Sequence, residues 1–466
     1  MKRFLVVVVL ALGLITSSAL AETLTVYGME RYIEEAFQAE HPGATIERGD
    51  YALNNTDVTR RLVNGEMKAD VMHLVTDLID VQNLAGKGDL LELSDNAYLM
   101  EQVARMHPSL QDVILRDGKL YAIPHDNHVR FFAYDPAGWK EAGYTEEDVP
   151  DSFPALLDLL EGWCDRMEDD PIDGIRVFGH FDSELYSNIS YTRWLTEMLL
   201  EQHILQTDYA GVPLRFGGTF LELLKRIETL GPRIFRDEPK MTAEAMDDPS
   251  VNVYSLFVGN IMFIEELPHA VGLRLSEDDP ILMRGLVMLL AVPSSSKAQA
   301  MAADYLELYL RALNGEVTFS NPDMATHYQS KAVSIFRDVE PIESGNARTN
   351  FEALLQEMES LRQQLASGEL ALEDRLEVED RLARYEQIVD LTPEDSFYAL
   401  SPREIELWAQ YGDAIYYPGP SAFDLSNEGN QNVGQLLEQF YYGRLTAEQL
   451  CAELDRIAQM IELEQQ

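Results

Sequence analysis

The chain is 466 residues long, 46% hydrophobic and 25% charged, and its 36 Lys and Arg against 80 Asp and Glu give a formal charge of −44. That sign argues against nucleic acid and anionic membrane surfaces as partners, because basic side chains must neutralise phosphate in both cases. Length and apolar content suffice for two or three domain-sized cores, and two cysteines are too few for a disulfide scaffold.

The chain opens with Met1-Lys2-Arg3, runs apolar from Phe4 to Ile15, and reaches Ala19-Leu20-Ala21 through Thr16-Ser17-Ser18. A basic start, an apolar run too short to span a bilayer and an Ala-x-Ala junction predict a signal peptide over 1–21. A short membrane anchor is the competing reading. Cleavage after Ala21 makes Glu22 the first mature residue and removes Lys2 and Arg3 with no acid, so the mature chain is more negative still. No later segment approaches 18 uninterrupted apolar residues, and no transmembrane helix is expected.

Thr23-Leu24-Thr25-Val26-Tyr27 alternates like a strand, and 30–40 reads as a helix with Tyr32, Ile33, Ala36 and Phe37 on one face. His41-Pro42-Gly43 stops it before a second strand at Ala44-Thr45-Ile46-Glu47-Arg48. A second helix over 56–67 leads to a third, largely apolar strand at 70–75. This alternation predicts a parallel sheet covered on both faces, whose ligands bind beyond the carboxyl ends of the strands. Three segments follow such ends: 51–56, Thr76-Asp77 and 125–128.

Asp117-Gly118-Lys119-Leu120-Tyr121-Ala122-Ile123-Pro124 is a glycine turn followed by a short apolar strand that the proline is expected to stop. His125-Asp126-Asn127-His128 is then read as a polar loop at a crossover, and a further β-rich run follows. Residues 152–201 are mostly helical with a break at 165–182, and 214–229 is another helix. Residues 255–260 lead into a buried-strand pattern at 261–264 that meets Glu265-Glu266-Leu267-Pro268. A strand over 285–292 and a helix over 297–313 come next. In 351–389 apolar residues recur every three and four positions around Gly368, which predicts two antiparallel helices. Near the end, Gly443 stops one helix and Thr446 with Gln449 spells a capping box for the last. Cys164 and Cys451 both fall in helical text; they form one bridge if they share a lobe, and otherwise are two buried thiols.

Several of these stretches resemble the extracellular solute-binding proteins of bacterial ABC importers, family 1, the carbohydrate-type, maltose-binding-protein-like cluster. The resemblance is carried by Gly118-Lys119-Leu120-Tyr121-Ala122-Ile123-Pro124, Tyr134 to Gly143 with its Trp139-Lys140-Glu141-Ala142-Gly143, Val149-Pro150-Asp151-Ser152-Phe153, Ala303 to Leu308, and the tail from Leu436 to Leu450. It spans about 23–313 and recurs at the C-terminus. It implies an α/β, two-lobe periplasmic-binding-protein fold of type II with an extra helical hairpin near the C-terminal part. Lobe 1 is expected to comprise 22–130 and 273–315. Lobe 2 is expected to comprise 131–272 and 316–466, including the insertion 351–390, with crossovers near 128–133, 268–274 and 313–319. It further implies an exported monomer, without enzymatic activity or cofactor, that captures a small solute by hinge closure and hands it to the membrane subunits of an ABC permease. Gram-positive relatives usually carry a lipid-anchored cysteine at the leader junction; none lies near Ala21.

A sugar site needs carboxylates and amides for hydroxyls and aromatic faces for the apolar side of the ring. Candidates in the first lobe are Tyr51, Asn54, Thr76 and Asp77, the last at a position that matches a ligand-contacting acid or amide in relatives. The expected crossover loop adds His125, Asp126 and Asn127. In the second lobe Tyr191 and Trp194 are candidates for stacking, and Glu265 and Glu266 occupy a turn that faces ligand in relatives. The adjacent acids also suit a cationic or peptide ligand. A secreted carbohydrate-active enzyme is a further reading, although no nucleophile elbow, zinc-helix motif or P-loop is present. A metal site at His125 and His128 lacks an obvious third ligand.

Overall fold

The computed structural model describes residues 23–27, 31–49, 55–130, 132–134, 136–169, 175–178, 190–237, 254–258, 270–321, 323–367, 375, 378–379, 381–385, 397–421, 423 and 431–464. The expected alternation is present at the start: β1 (Thr23–Tyr27), α1 (Arg31–Glu40), β2 (Thr45–Gly49), α2 (Asn55–Val63) and β3 (Met72–Val75). β1 and β2 are parallel, and Val26 bridges Val71 in parallel on β1's other side, beside β3. The strands are apolar where they are central: Leu24, Val26, Val71 and Leu74 are wholly buried.

β4 (Ala122–Arg130) departs from expectation, because it continues through Pro124 as one nine-residue strand. Among the described strands it pairs only with a later one, and a strand with one unpaired side tolerates proline. The register also shifts here: Pro124 opposes Leu289 and Asp126 opposes Met288, which leaves His125 as a bulge residue. Just upstream, Asp117 (φ 52°) and Gly118 (φ 76°) join Leu115–Arg116 to Lys119–Leu120. Two consecutive positive φ values are the type I′ signature of a tight hairpin.

The chain then leaves this sheet. β5 (Phe132–Tyr134), β6 (Ile175–Phe178), β7 (Tyr254–Val258) and β8 (Ala270–Val271) form a second sheet in the order β8-β5-β7-β6. Around it pack α3 (Phe153–Asp169), α4 (Ser190–Tyr209) and α5 (Thr219–Asp237). α5 begins five residues later than the sequence reading, after the Gly218 turn, and runs through Pro232. β9 (Met283–Ala291) returns to the first sheet, antiparallel to both β3 and β4. The first sheet thus reads β2-β1-β3-β9-β4, parallel except for β9.

Beyond α6 (Gln299–Leu313) the expected boundary fails. α7 (Asp323–Lys331), α9 (Pro402–Tyr411) and β10 (Ile415–Tyr416) belong to the first lobe: Val317, Phe319, Tyr328, Leu400, Trp408 and Tyr417 join the same core as β1 and β9. β10 pairs with the start of β9, and the ring of Tyr417 lies across Gly285, where a Cβ would collide with it. The hairpin helix α8 (Gly345–Ser367) springs from this lobe at a ribbon between Ile342–Glu343 and Tyr398–Leu400, and Arg381 and Tyr385 reach back to Glu357 on it. Among the described residues beyond α6, α10 (Gln431–Tyr441) and α11 (Ala447–Glu464), with Phe423, enter the second core. The chain therefore passes between cores after Arg130, between Leu275 and Met283, and between Tyr417 and Phe423. The third passage is not at 313–319, because residues on both sides of that segment are buried in one core. Cys164 and Cys451 are both buried thiols of the second core, without a disulfide between them.

Candidate functional site

The two paired strands that carry the chain out of the first lobe and back, β4 and β9, bring chemistry to the junction. Directly opposed residues of an antiparallel pair share a face. Met288 opposes Asp126, Leu286 opposes His128, and Arg284 opposes Arg130. Along β4, Asn127 and Val129 are buried while Asp126, His128 and Arg130 are half-buried, so strand alternation sorts them onto opposite faces. The half-buried face is the candidate site.

Its charges are linked in two groups. Asp126 Oδ2 lies 3.6 Å from Lys331 Nζ at the end of α7 and 3.7 Å from His128 Nε2. Arg130 Nη1 and Arg284 Nε each lie 3.7 Å from Glu201 Oε1. Glu201 comes from α4, so this second group spans the two lobes. Arg284 is 6% exposed and the other members 20–28%. At the junction a cavity of about 60 Å³ is walled by Phe132, Phe153 and Met198 and reached by Arg130, Arg284 and Glu201. A carboxylate, an imidazole and guanidinium forks in such half-dry surroundings can grip hydroxyl, amide or acid groups with directional hydrogen bonds.

The candidates from sequence distribute unevenly around this face. Asp126 lies on it. His125 does not: its backbone carbonyl accepts from Tyr309 Oη at 2.7 Å, and its ring stacks on Tyr309 and meets His73 edge-on, centroids 4.9 and 4.7 Å apart. The bulge turns it into the core. Asn127 is 3% exposed and donates from Nδ2 to the Ser334 carbonyl (2.7 Å) while Oδ1 accepts from Tyr417 Oη (2.9 Å), so its amide locks the first lobe. Thr76 Oγ1 accepts from the Val287 backbone N–H at 3.2 Å and closes the β3–β9 ladder; beside it Asp77 is 4% exposed. Tyr191 is wholly buried in the second core and Trp194 packs half-buried against it, which corrects the expectation of an open stacking face. Tyr51, Asn54, Glu265 and Glu266 lie outside the described residues.

Arg130, Glu201 and Arg284 escaped the sequence reading. The available signal was a lone cation at the end of one apolar strand (Val129-Arg130) and the start of another (Met283-Arg284), each beside a passage between lobes.

The third passage is braced separately. Tyr416 Oη donates to Asp208 Oδ2 at 2.9 Å, and the Tyr209 ring meets Tyr416 edge-on. Burial and the Asp208 carboxylate push the Tyr416 phenol well above its usual range. Cavities of about 220 and 280 Å³ lie on either side of Pro418-Gly419, one toward each lobe.

Among the described residues no helix is long and apolar enough to cross a membrane. No family model matches the chain, and no curated protein matches it. Solved structures do. An extracellular solute-binding protein family 1 member from Alicyclobacillus acidocaldarius superposes with a TM-score of 0.50 at 16% identity, covering 94% of this chain and 98% of that one. An ABC substrate-binding protein from Listeria monocytogenes in complex with cycloalternan gives 0.49 at 11%, over 95% and 98%. The cyclic α-maltosyl-1,6-maltose binding protein from Arthrobacter globiformis gives 0.49 at 13%, over 94% and 97%. The fold assignment rests on the first of these, together with two cores joined by three passages: the chain has the two-lobe fold of the extracellular solute-binding proteins.

Proposed function

We propose that the protein is an exported solute-binding protein that captures a sugar or oligosaccharide between its lobes and delivers it to an ABC permease. One observation carries this reading: the half-buried polar face of β4 and β9 runs to the point where Arg130 and Arg284 meet Glu201 on α4 of the second lobe. A solute held there touches both lobes and so favours the arrangement in which they are closed over it; closure follows from that difference in affinity. Asp126 and His128 would take hydroxyl groups, and the resemblance of 118–157 to carbohydrate-type relatives supports a glycan as the solute. Enzymatic hydrolysis has no support from the described geometry, in which Asp126 and Glu201 each sit among cations.

A thermal-shift screen of the mature chain against mono- and oligosaccharides, peptides and polyamines tests the reading. A ligand at a hundred times its Kd adds about 2.7 kcal/mol of apparent stability, which a melting curve resolves. Glycans alone are expected to raise Tm, and His128→Ala to weaken the effective glycan about tenfold or more. A shift with polyamines only, or glycan cleavage by the purified protein, would overturn it.

A further inference from the structure

We propose that the last turns of α4 form the pin of the hinge between the lobes. Side chains of 201–209 hold all three passages, and the lobes turn about an axis alongside them. Loosening that hold weakens solute capture without touching Asp126 or His128. The inference goes beyond the solute-binding reading and rests on it only for this effect on capture. The body of α4 fixes the pin to the second lobe, where Tyr191, Leu195, Leu199, Leu200 and Ile204 are buried in the core.

Each passage is held by different chemistry. At the first, Arg130 at the end of β4 stands 3.7 Å from Glu201. At the second, Gln206 Nε2 donates to the Pro280 carbonyl at 2.8 Å and Gln202 Nε2 to the Leu282 carbonyl at 3.4 Å. Glu201 also stands 3.7 Å from Arg284, just inside β9. At the third, Tyr416 Oη donates to Asp208, and the Tyr209 ring meets that of Tyr416 edge-on with centroids 5.4 Å apart. Gln206 is 7% exposed. A buried amide must find a partner, and the one it finds is the backbone of a passage.

Spacing along the helix turns these contacts into an axis. From Glu201 to Tyr209 the helix rises about 12 Å. Glu201 and Asp208, two turns apart, stack on one stripe, while Gln202, Gln206 and Tyr209 fall on the stripe beside it. The backbone is continuous through a crossing, so crossings move least when two lobes rotate. Three crossings held along so short a length define a line beside α4, and rotation about any other line has to break one of the contacts. At the third crossing the freedom lies in Gly419. Pro418 and Pro420 fix their own φ, whereas the place of a Cβ on Gly419 has nothing within 4 Å among the described residues. Cavities of about 220 and 280 Å³ leave room on both sides of it. Hinges absorb rotation at a few such loop residues.

The pin acts on capture through the free protein. With it in place, the lobes move along one path, and the arrangement that fits the solute lies on that path. Without it, the free chain gains arrangements that cannot grip solute. Apparent affinity then falls with the competent fraction, while the closed, solute-bound form stays the same.

Double electron–electron resonance on the mature chain tests the pin without a ligand. Lys87→Cys and Glu222→Cys carry the spin labels, one exposed position in each lobe, and the native thiols Cys164 and Cys451 are buried. Tyr416→Phe, Asp208→Ala and Gln206→Ala are each expected to broaden the interlobe distance distribution of the free protein. Tyr416→Phe combined with Asp208→Ala should broaden it no further than either alone, because both remove one bond. Thr446→Ala uncaps α11 and touches none of these contacts. Its width should match that of the unaltered chain, which separates the pin from a general loss of stability. In calorimetry with malto-, xylo- and chito-oligosaccharides, the pin variants should weaken the glycan that binds by about two- to tenfold. Saturating glycan should return their distance to that of the unaltered protein. Should Gln206→Ala fail to fold, Tyr416→Phe, which keeps the ring and loses one hydroxyl, still decides. Unchanged widths in Tyr416→Phe and Asp208→Ala would overturn the pin, as would tighter glycan binding by these variants. Failure of every glycan to bind would overturn the solute reading, and the distance distributions would still decide the pin.

Discussion

Asn127 shows what a buried amide does when both of its ends are taken. Replacing it with alanine strands the Ser334 carbonyl and the Tyr417 hydroxyl in the first core, and each stranded group costs about 1–3 kcal/mol. Asn127→Ala is therefore expected to lower unfolding stability by about 2–4 kcal/mol in urea titration; an unchanged midpoint would contradict the locking role. Cys451 offers a chemical check. Burial, with Asp455 and Glu448 nearby, pushes its thiol up to about 12. Native protein at pH 8 should resist iodoacetamide at this position, and denaturant should expose it, because the thiolate is the reactive form. Peptide mapping of the alkylated chain reads both states. The residue scale is also where the sequence was hardest to read. Asp126 and Asn127 are neighbours of similar chemistry, yet strand alternation sends one to the junction and the other into the core. Reading 125–128 as a loop concealed that sorting.

Elements were more legible, for reasons that are local. The first βαβαβ run follows the alternating and three-to-four periodicities because its helices and its central strands each bury one face. The capping box at the last helix is present as spelled: Thr446 N–H donates to Gln449 Oε1 at 2.9 Å and Gln449 N–H to Thr446 Oγ1 at 3.3 Å. Thr446→Ala should cost about 1 kcal/mol, measured by chemical denaturation, since α11 seats Leu450 and Leu454 in the second core. Pro124 misled because proline breaks only central ladders, and nothing in the sequence says that β4 lies at an edge. The assignment of 317–417 was out of reach for a similar reason: the apolar face of a helix says that it packs, not against which of two cores.

At the scale of the whole molecule, pH and salt act through groups that have moved from their ordinary range. Burial lowers the imidazole of His107, held at 3.1 Å from the Val333 carbonyl, and likewise that of His203 beside Phe216 and Phe220. The unfolded chain takes up these protons near the ordinary value of 6.5 and the folded chain only at lower pH. Unfolding therefore binds protons below that point, and stability falls as pH drops from 6.5 toward the carboxylate range, by at most about 1.4 kcal/mol per unit for His107. His107→Gln should flatten the slope between pH 6.5 and 5 in urea titrations. A net charge of −44 also predicts that Tm rises between about 10 mM and 500 mM NaCl as self-repulsion is screened.

The position of the third passage has a consequence for assembly in time. The second core is built from β5 to β8 and their helices and, among the described residues, is completed by Phe423, α10 and α11, which arrive after the whole first-lobe excursion from β9 to β10. A chain that emerges from its amino end can thus complete neither half early: the first waits for Tyr417, the second for Leu454. Contacts so distant in sequence form slowly. A polypeptide that stays loose until its final turns exist is one that a translocation channel can still thread.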